Sequence, residues 1–562
     1  MTTWEDERRR YYNDKPLNTN KSRYDKVALR LRRLKTNNTR LEMFGTILLS
    51  LWFFLRSILD GLIDFVFNLV LYNDSKKKQI PKVKNSLVLE SATSLARKIR
   101  RKEVTAETVV SAFVERAQQV NPLLNAIVDE RFDLALKEAK AVDEYLRTTT
   151  DSIEKIEREK PFLGIPFTTK ESSSCEGLSL TFGLVARKGV KGKEDAEVVR
   201  LMKKAGGILL GVTNIPELNL WFESRNHLYG QTSNPYNTNR TVGGSSGGEA
   251  SIISACGSPI GIGTDIGGSV RMPAFFCGIF GHKPTADLTP MKGTTRRTGE
   301  EKDSMVAAGP LTRHHEDLIP MLKVLAEARL SSVTLDEKVD LKNLKYFYFE
   351  ESNDPRVSVM NGELLMALRR VVNHFQEITE NSCTKVTLPG IESGYKLWRY
   401  WMTKEAYQFD NELGNRERKV NLWEELPKLL IGKCEFTLAA IFKLIDCKLP
   451  KENKEWAEAT TAKLKKTVND LLGKDGILLC PSSPAPASYH YSSFLRPYNF
   501  AYWAIFNVLK LPATQVPVGL TSDGLPMGIQ VVAGPNMDHL SLAVAKEIEN
   551  AFGGWIPPFP VE

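Results

Sequence analysis

Apolar and small residues run unbroken from Met43 to Leu55, and apolar positions continue at Ile58, Leu59, Leu62, Ile63, Phe65, Val66, Phe67, Leu69, Val70 and Leu71. Arg56, Asp60, Asp64 and Asn68 interrupt them every fourth residue, which on a helix makes one slowly drifting polar stripe. A bilayer crossing needs ~20 apolar residues, so the segment is long enough. Ionised groups in lipid are costly unless paired or turned to water, and Arg56 and Asp60 have the i,i+4 spacing of a helical pair. The pattern predicts a membrane-spanning or membrane-inserted helix over residues 43–72, with a buried soluble helix as the remaining reading. Lys76, Lys77, Lys78, Lys82 and Lys84 mark its far side.

A folded region follows from Leu87. Thr105 has the position of an N-cap before Val109, Val110, Phe113, Ala117 and Val120, which keep helical spacing until Asn121-Pro122 ends the run. Residues 125–128 read as a short strand, 132–146 as a helix and 148–160 as a polar connector. Phe162 to Thr169 reads as a buried strand with Lys170 at its end. Further helices are predicted over 196–204, 249–256 and 359–378, and strands over 208–210, 260–263 and 341–349. Residues 283–320 read as loop, with Thr312 capping a helix that runs to Leu325. The stretch 422–449 is rich in Leu, Ile, Phe and Trp with interspersed lysines, and suits either an amphipathic core helix or a lipid-facing one. Residues 476–481, 512–519 and 525–534 read as strands around an apolar helix at 500–511. The alternation of helices and strands predicts an α/β fold with a mixed sheet.

The chain has 562 residues, 42% hydrophobic and 25% charged, as expected of a folded protein. Its net charge of +9 is uneven, since residues 1–42 hold twelve lysines and arginines against six acids. Such a tail suits nucleic acid or an anionic lipid surface, and the apolar helix behind it favours lipid over nucleic acid. The apolar stretch starts too late for a cleaved signal peptide. Seven scattered cysteines without a Cys-x-x-Cys give no disulfide framework. Three parts result: a basic tail (1–42), a membrane helix (43–72) and a catalytic region (85–562).

Candidate chemistry centres on Gly261-Ile262-Gly263-Thr264-Asp265-Ile266-Gly267-Gly268-Ser269-Val270-Arg271-Met272-Pro273. Paired glycines permit positive φ, and successive N–H groups in such a turn cradle negative charge. Ser269 is either the cap of the next helix or a nucleophile, with the N–H groups of Ile266, Gly267, Gly268 and Ser269 facing the oxyanion. Asp265 and Arg271 are placed to brace the turn as an ion pair. Lys170 would ordinarily be a solvated surface residue. At the end of an apolar strand, burial would instead lower its pKa and leave a neutral amine able to act as base. The loop Gly243-Gly244-Ser245-Ser246-Gly247-Gly248-Glu249 lacks the Gly-Lys-Ser/Thr ending of a phosphate loop, and Glu249 would repel phosphate. His314-His315-Glu316-Asp317 has no compact metal spacing and reads as a solvated helix start.

The two glycine-serine stretches, together with Phe162-Leu163-Gly164-Ile165-Pro166-Phe167-Thr168-Thr169-Lys170, resemble the amidase signature family from about Leu87 to the C-terminus, and within it the fatty-acid amide hydrolases. The resemblance implies a mixed twisted sheet sandwiched by helices and a Ser-Ser-Lys triad. Ser269 would be the nucleophile, Ser245 the bridging serine held by a cis peptide bond, and Lys170 the base. It also implies that Asn219 lies near the nucleophile in the substrate channel, that no metal or cofactor is needed, and that the substrate is a fatty-acid amide cleaved at an intracellular membrane, by a single-pass or monotopic protein able to form a homodimer. A small-amide or aryl-acylamide amidase, an esterase, an inactive lipid-binding relative and an amidotransferase glutaminase subunit are the competing readings.

Overall fold

The computed structural model describes residues 40–405 and 407–561, so nearly all of the basic tail lies outside the described residues. Two compact units divide at Leu62/Ile63. The apolar stretch forms the helix Arg40–Val66, of which the first unit holds the part up to Leu62, and there Ile47, Leu48, Leu51, Trp52, Leu55, Ile58, Leu59 and Leu62 are exposed. Arg56 and Asp60 pair at 3.4 Å across one turn. Among the described residues no helix is long and apolar enough to cross a membrane. The expected spanning helix over 43–72 is corrected accordingly. Arg56, Asp60 and Asp64 put a charge on nearly every turn, and past Val66 the helix loosens into a π-helical turn, Phe67–Tyr72.

The second unit is built on one sheet. Its strands are β1 (Ile127–Glu130), β2 (Pro166–Lys170), β3 (Ile208–Thr213), β6 (Ile260–Asp265), β7 (Phe280–Lys283), β8 (Ala307–Thr312), β9 (Lys345–Tyr348), β10 (Thr384–Lys385), β11 (Gly476–Pro481), β12 (Ala513–Leu520) and β13 (Pro526–Ala533). β4 (Arg225–Asn226) and β5 (Gly230–Gln231) form a separate hairpin. The eleven strands run in the order β1-β3-β2-β6-β8-β7-β12-β13-β11-β9-β10. β2 is parallel to both β3 and β6, while β6–β8, β7–β8, β7–β12 and β12–β13 are antiparallel. β2, β3, β6, β8 and β11 are buried along their whole length. Burial on both faces is why β3 and β11 read as apolar runs without alternation.

Helices flank the sheet and fill two large apolar clusters. One is built on Phe113, Ile252, Ile262 and Leu311, the other on Leu368, Leu478, Trp503 and Val531. A third, smaller cluster joins Phe182, Leu218, Phe409, Leu422 and Ile441 under the helices Leu422–Leu430 and Leu438–Lys448. Trp423, Leu430 and Ile431 nevertheless point outward, Leu430 with 86% of its surface exposed.

Several local expectations are corrected. The helix starting after Thr105 passes through Pro122 to Leu124 and ends on left-handed Asn125. Asn121 Oδ1 takes the freed N–H groups of Ala126 and Ile127. Residues 153–159 are helical, capped by Ser152, within the stretch expected as connector. β8 lies inside the stretch expected as loop and includes Thr312, which therefore caps no helix. His315 and Asp317 are buried rather than solvated. Asp317 accepts the N–H groups of Ala92 and Thr93, and His315 Nε2 bonds the Leu542 carbonyl.

Candidate active site

Because β2 and β6 are parallel neighbours, their C-terminal ends open on the same edge of the sheet. Lys170 closes β2 there. β6 leads into the turn Ile266–Ser269 and the short helix Arg271–Phe276. The glycine-serine loop comes to the same edge immediately before the helix Gly247–Ser254.

Lys170 is fully buried and donates from Nζ to Ser245 Oγ at 2.8 Å and Thr264 Oγ1 at 2.9 Å. Burial pushes its pKa down to about 7, against the opposing pull of Asp265 and Glu249. The bond Gly244–Ser245 is cis. Ser245 and Ser269 line one cavity together with Thr264, Ile266, Leu218 and Asn219. Ser269 is 9% exposed, and its carbonyl accepts the N–H of Ser246 at 3.2 Å. No histidine lines the cavity, so Lys170 is the one basic group hydrogen-bonded to either serine among the described residues.

The turn is held from behind. Asp265 Oδ1 accepts from Gly268 N–H at 2.7 Å, and Oδ2 accepts from Val270 N–H and from Arg271 Nε, both at 3.1 Å. Burial alone would raise the carboxyl of Asp265. The Arg271 charge and these hydrogen bonds hold it well below the usual carboxylate range. Arg271 in turn reaches Gln530 Oε1 and Asn507 Oδ1, both at 2.7 Å. Gly268 has φ 113°, and a Cβ there would lie 2.5 Å from Trp503 Cβ, so both backbone and space require glycine.

Of the four N–H groups expected to face an oxyanion, that of Gly268 is taken by Asp265. The N–H groups of Ile266, Gly267 and Ser269 donate to no described residue. Asn219 borders the cavity with φ 61°, and its Oδ1 accepts from Ser172 Oγ at 3.2 Å. No hydrogen bond links it to Lys170 or Ser245 among the described residues.

Sequence reasoning missed three supporting groups. Thr264 is the second partner of Lys170, with no local sign in the sequence. Glu249 is buried, accepts from Thr168 and Thr213 at 2.8 Å each, and is pushed up to about 8 by burial. Trp398 donates from Nε1 to the Ile266 carbonyl at 2.8 Å, with no local sign in the sequence.

A buried lysine joined to a serine beside a glycine turn is a site for acyl transfer, and the family model named Amidase matches residues 108–542. The chain belongs to the amidase family. It is 42% identical over 486 residues to human fatty-acid amide hydrolase 2, covering 85% of this chain and 91% of that protein. It is 40% identical to the zebrafish (Danio rerio) fatty-acid amide hydrolase 2-B, covering 89% and 97%. A solved structure entitled "Fatty acid amide hydrolase" superposes with a TM-score of 0.67 at 23% identity, over 89% of this chain and 91% of that one.

Proposed function

We propose that this chain hydrolyses fatty-acid amides through an acyl-enzyme formed on Ser269. The observation that carries the reading is the 2.8 Å hydrogen bond from fully buried Lys170 to Ser245 in the cavity that also holds Ser269. The names of the relatives supply the substrate class. Neutral Lys170 takes a proton from Ser245 as Ser245 takes one from Ser269, whose Oγ attacks the amide carbon. The oxyanion meets the N–H groups of Ile266, Gly267 and Ser269. Collapse breaks the C–N bond, and the relay returns its proton to the leaving amine. Water then attacks the acyl ester, passing its proton to the same relay, and the fatty acid leaves.

Membrane association is part of the proposal, as attachment to the surface of a bilayer. It is supported by the exposed apolar side chains of the helix Arg40–Val66 and, separately, by Trp423, Leu430, Ile431 and Leu449. Contiguous apolar exposure of this kind marks an interaction surface.

Labelling with a fluorophosphonate probe tests the nucleophile. Wild type should label and Ser269→Ala should not; persistent labelling of the variant would place the nucleophile elsewhere. Turnover of oleamide by the detergent-solubilised chain tests the reaction itself.

A further inference from the structure

The cavity that holds Ser269 also receives three guanidinium groups, for which hydrolysis of a neutral amide has no use. Arg296, Arg297 and Arg416 line it beside the two serines. Two buried carboxylates fix them: Arg296 Nη1 and Arg416 Nε take the two oxygens of Glu412, each at 2.7 Å, and Arg297 Nη2 takes Glu405 Oε2 at 2.6 Å. Neither acid is free for more, since Glu405 also accepts from Ser304 Oγ and Met305 N–H. Glu301, the acid on the cavity wall, accepts the N–H groups of Thr298 and Gly299. Nearby Arg187 donates to the Leu180 carbonyl and Asn415 Oδ1 and to no carboxylate. Glu171, which interacts with Arg187, has both oxygens on the N–H groups of Thr181 and Phe182.

Donors are left over. Arg297 Nε and Nη1 and Arg416 Nη1 donate to no described residue. Two hydroxyls on the same wall, Thr295 Oγ1 and Tyr407 Oη, are buried without a hydrogen-bond partner among the described residues. Buried polar groups are rarely left so. Arg296 and Arg297 are only 8% and 10% exposed, so an anion reaching them would meet fixed donors with little competing water. A guanidinium fork matches a carboxylate in two parallel hydrogen bonds. The donors share one cavity with Ser269, which puts that carboxylate near the scissile bond and hence on the amine half, away from the distal end of the acyl chain.

We propose that the amine half of the preferred substrate carries a carboxylate, so that this chain cleaves N-acyl amino acids, with Arg297 and Arg416 gripping the carboxylate and Thr295 and Tyr407 completing its shell. The inference rests on the acyl-amide reading above. One water is consumed: its oxygen goes to the acyl carbon, the C–N bond breaks, and the free amino acid leaves carrying the proton.

N-oleoylglycine and N-oleoylethanolamine, assayed in mixed micelles, test it. Wild type should show kcat/KM at least tenfold higher for N-oleoylglycine. Tyr407→Phe and Thr295→Val break no described hydrogen bond, and Arg416 is half exposed, so these variants and Arg416→Gln should fold. Each should shrink that preference, and the three together should lower it at least tenfold, through KM. Equal rates in wild type, or a preference that all three leave in place, would overturn the proposal. Calorimetric binding to Ser269→Ala separates the two readings. Tighter binding of N-oleoylglycine, by tenfold or more, upholds the carboxylate site even if no amide is turned over, a result that would sink the hydrolase reading alone. Equal affinities would overturn the carboxylate site whatever the turnover.

Discussion

A lysine can act as a base only when neutral, and the ordinary pKa of 10.5 would leave Lys170 charged at neutral pH. Burial brings the value to about 7, so kcat/KM should rise between pH 6 and 8 with a midpoint near 7, as a pH–rate profile would show. Stability follows the same sign. Between about 7 and 10.5 the unfolded chain holds a proton on this lysine that the folded chain lacks, so this group's contribution to stability grows as pH rises through that window. Lys170→Ala should slow acylation about 10²–10⁴-fold and flatten the profile; an unchanged pH profile would exclude Lys170 as base. That Lys170 and Ser245 meet was implied by the family resemblance, and the residues' own share was that each sits in a pattern odd for its type: a lysine ending an apolar strand, a serine between glycine pairs. Thr264 and Glu249 carried no such mark. A threonine on a strand and a glutamate opening a helix are ordinary, and only the packing of β2, β3 and β6 shows that both are buried around Lys170.

At the scale of elements, the turn after β6 is stiffened by the ion pair predicted from its own sequence, Asp265 with Arg271. Its two further supports, Asn507 and Gln530, come from a helix and a strand more than two hundred residues later, which no local pattern reveals. Asp265→Asn leaves a fully buried arginine without its counter-ion, so unfolding should become easier by about 3–5 kcal/mol, read from the denaturant midpoint. A loss below 1 kcal/mol would mean that the pair is dispensable. β8 was hidden for a different reason. Ala307-Ala308-Gly309-Pro310-Leu311-Thr312 has the composition of a turn, yet it pairs with β6 residue for residue. Small residues there leave room for the strands and loops packed on it, since a Cβ at 309 would overlap the His282 carbonyl. β7, Phe280-Gly281-His282-Lys283, is also fully buried and was also unpredicted, and the errors at 122 and 153–159 arose where capping, not hydrophobicity, sets the boundary.

On the whole molecule, exposed apolar side chains gather on the helix Arg40–Val66 and on the helices around residues 422–449, and the second group lies wholly in the unit that holds the site. Replacing Trp423, Leu430 and Ile431 together by aspartate should weaken co-sedimentation with phosphatidylcholine vesicles at least tenfold, ~1.4 kcal/mol, with the thermal midpoint nearly unchanged because these side chains are already outside the core. Unaltered vesicle binding would leave the N-terminal helix as the attachment. The brace behind Ser269 has a consequence for synthesis. Lys170, Ser245 and Ser269 have all left the ribosome well before Asn507 and Gln530 are translated, so a nascent chain carries every reactive group while Arg271 still lacks two of its acceptors. The turn therefore gains its full brace only when the helix Ala501–Val508 and β13 are made, and a message cut short after residue 500 would yield a chain that holds Lys170, Ser245 and Ser269 without Asn507 and Gln530 to stiffen the turn.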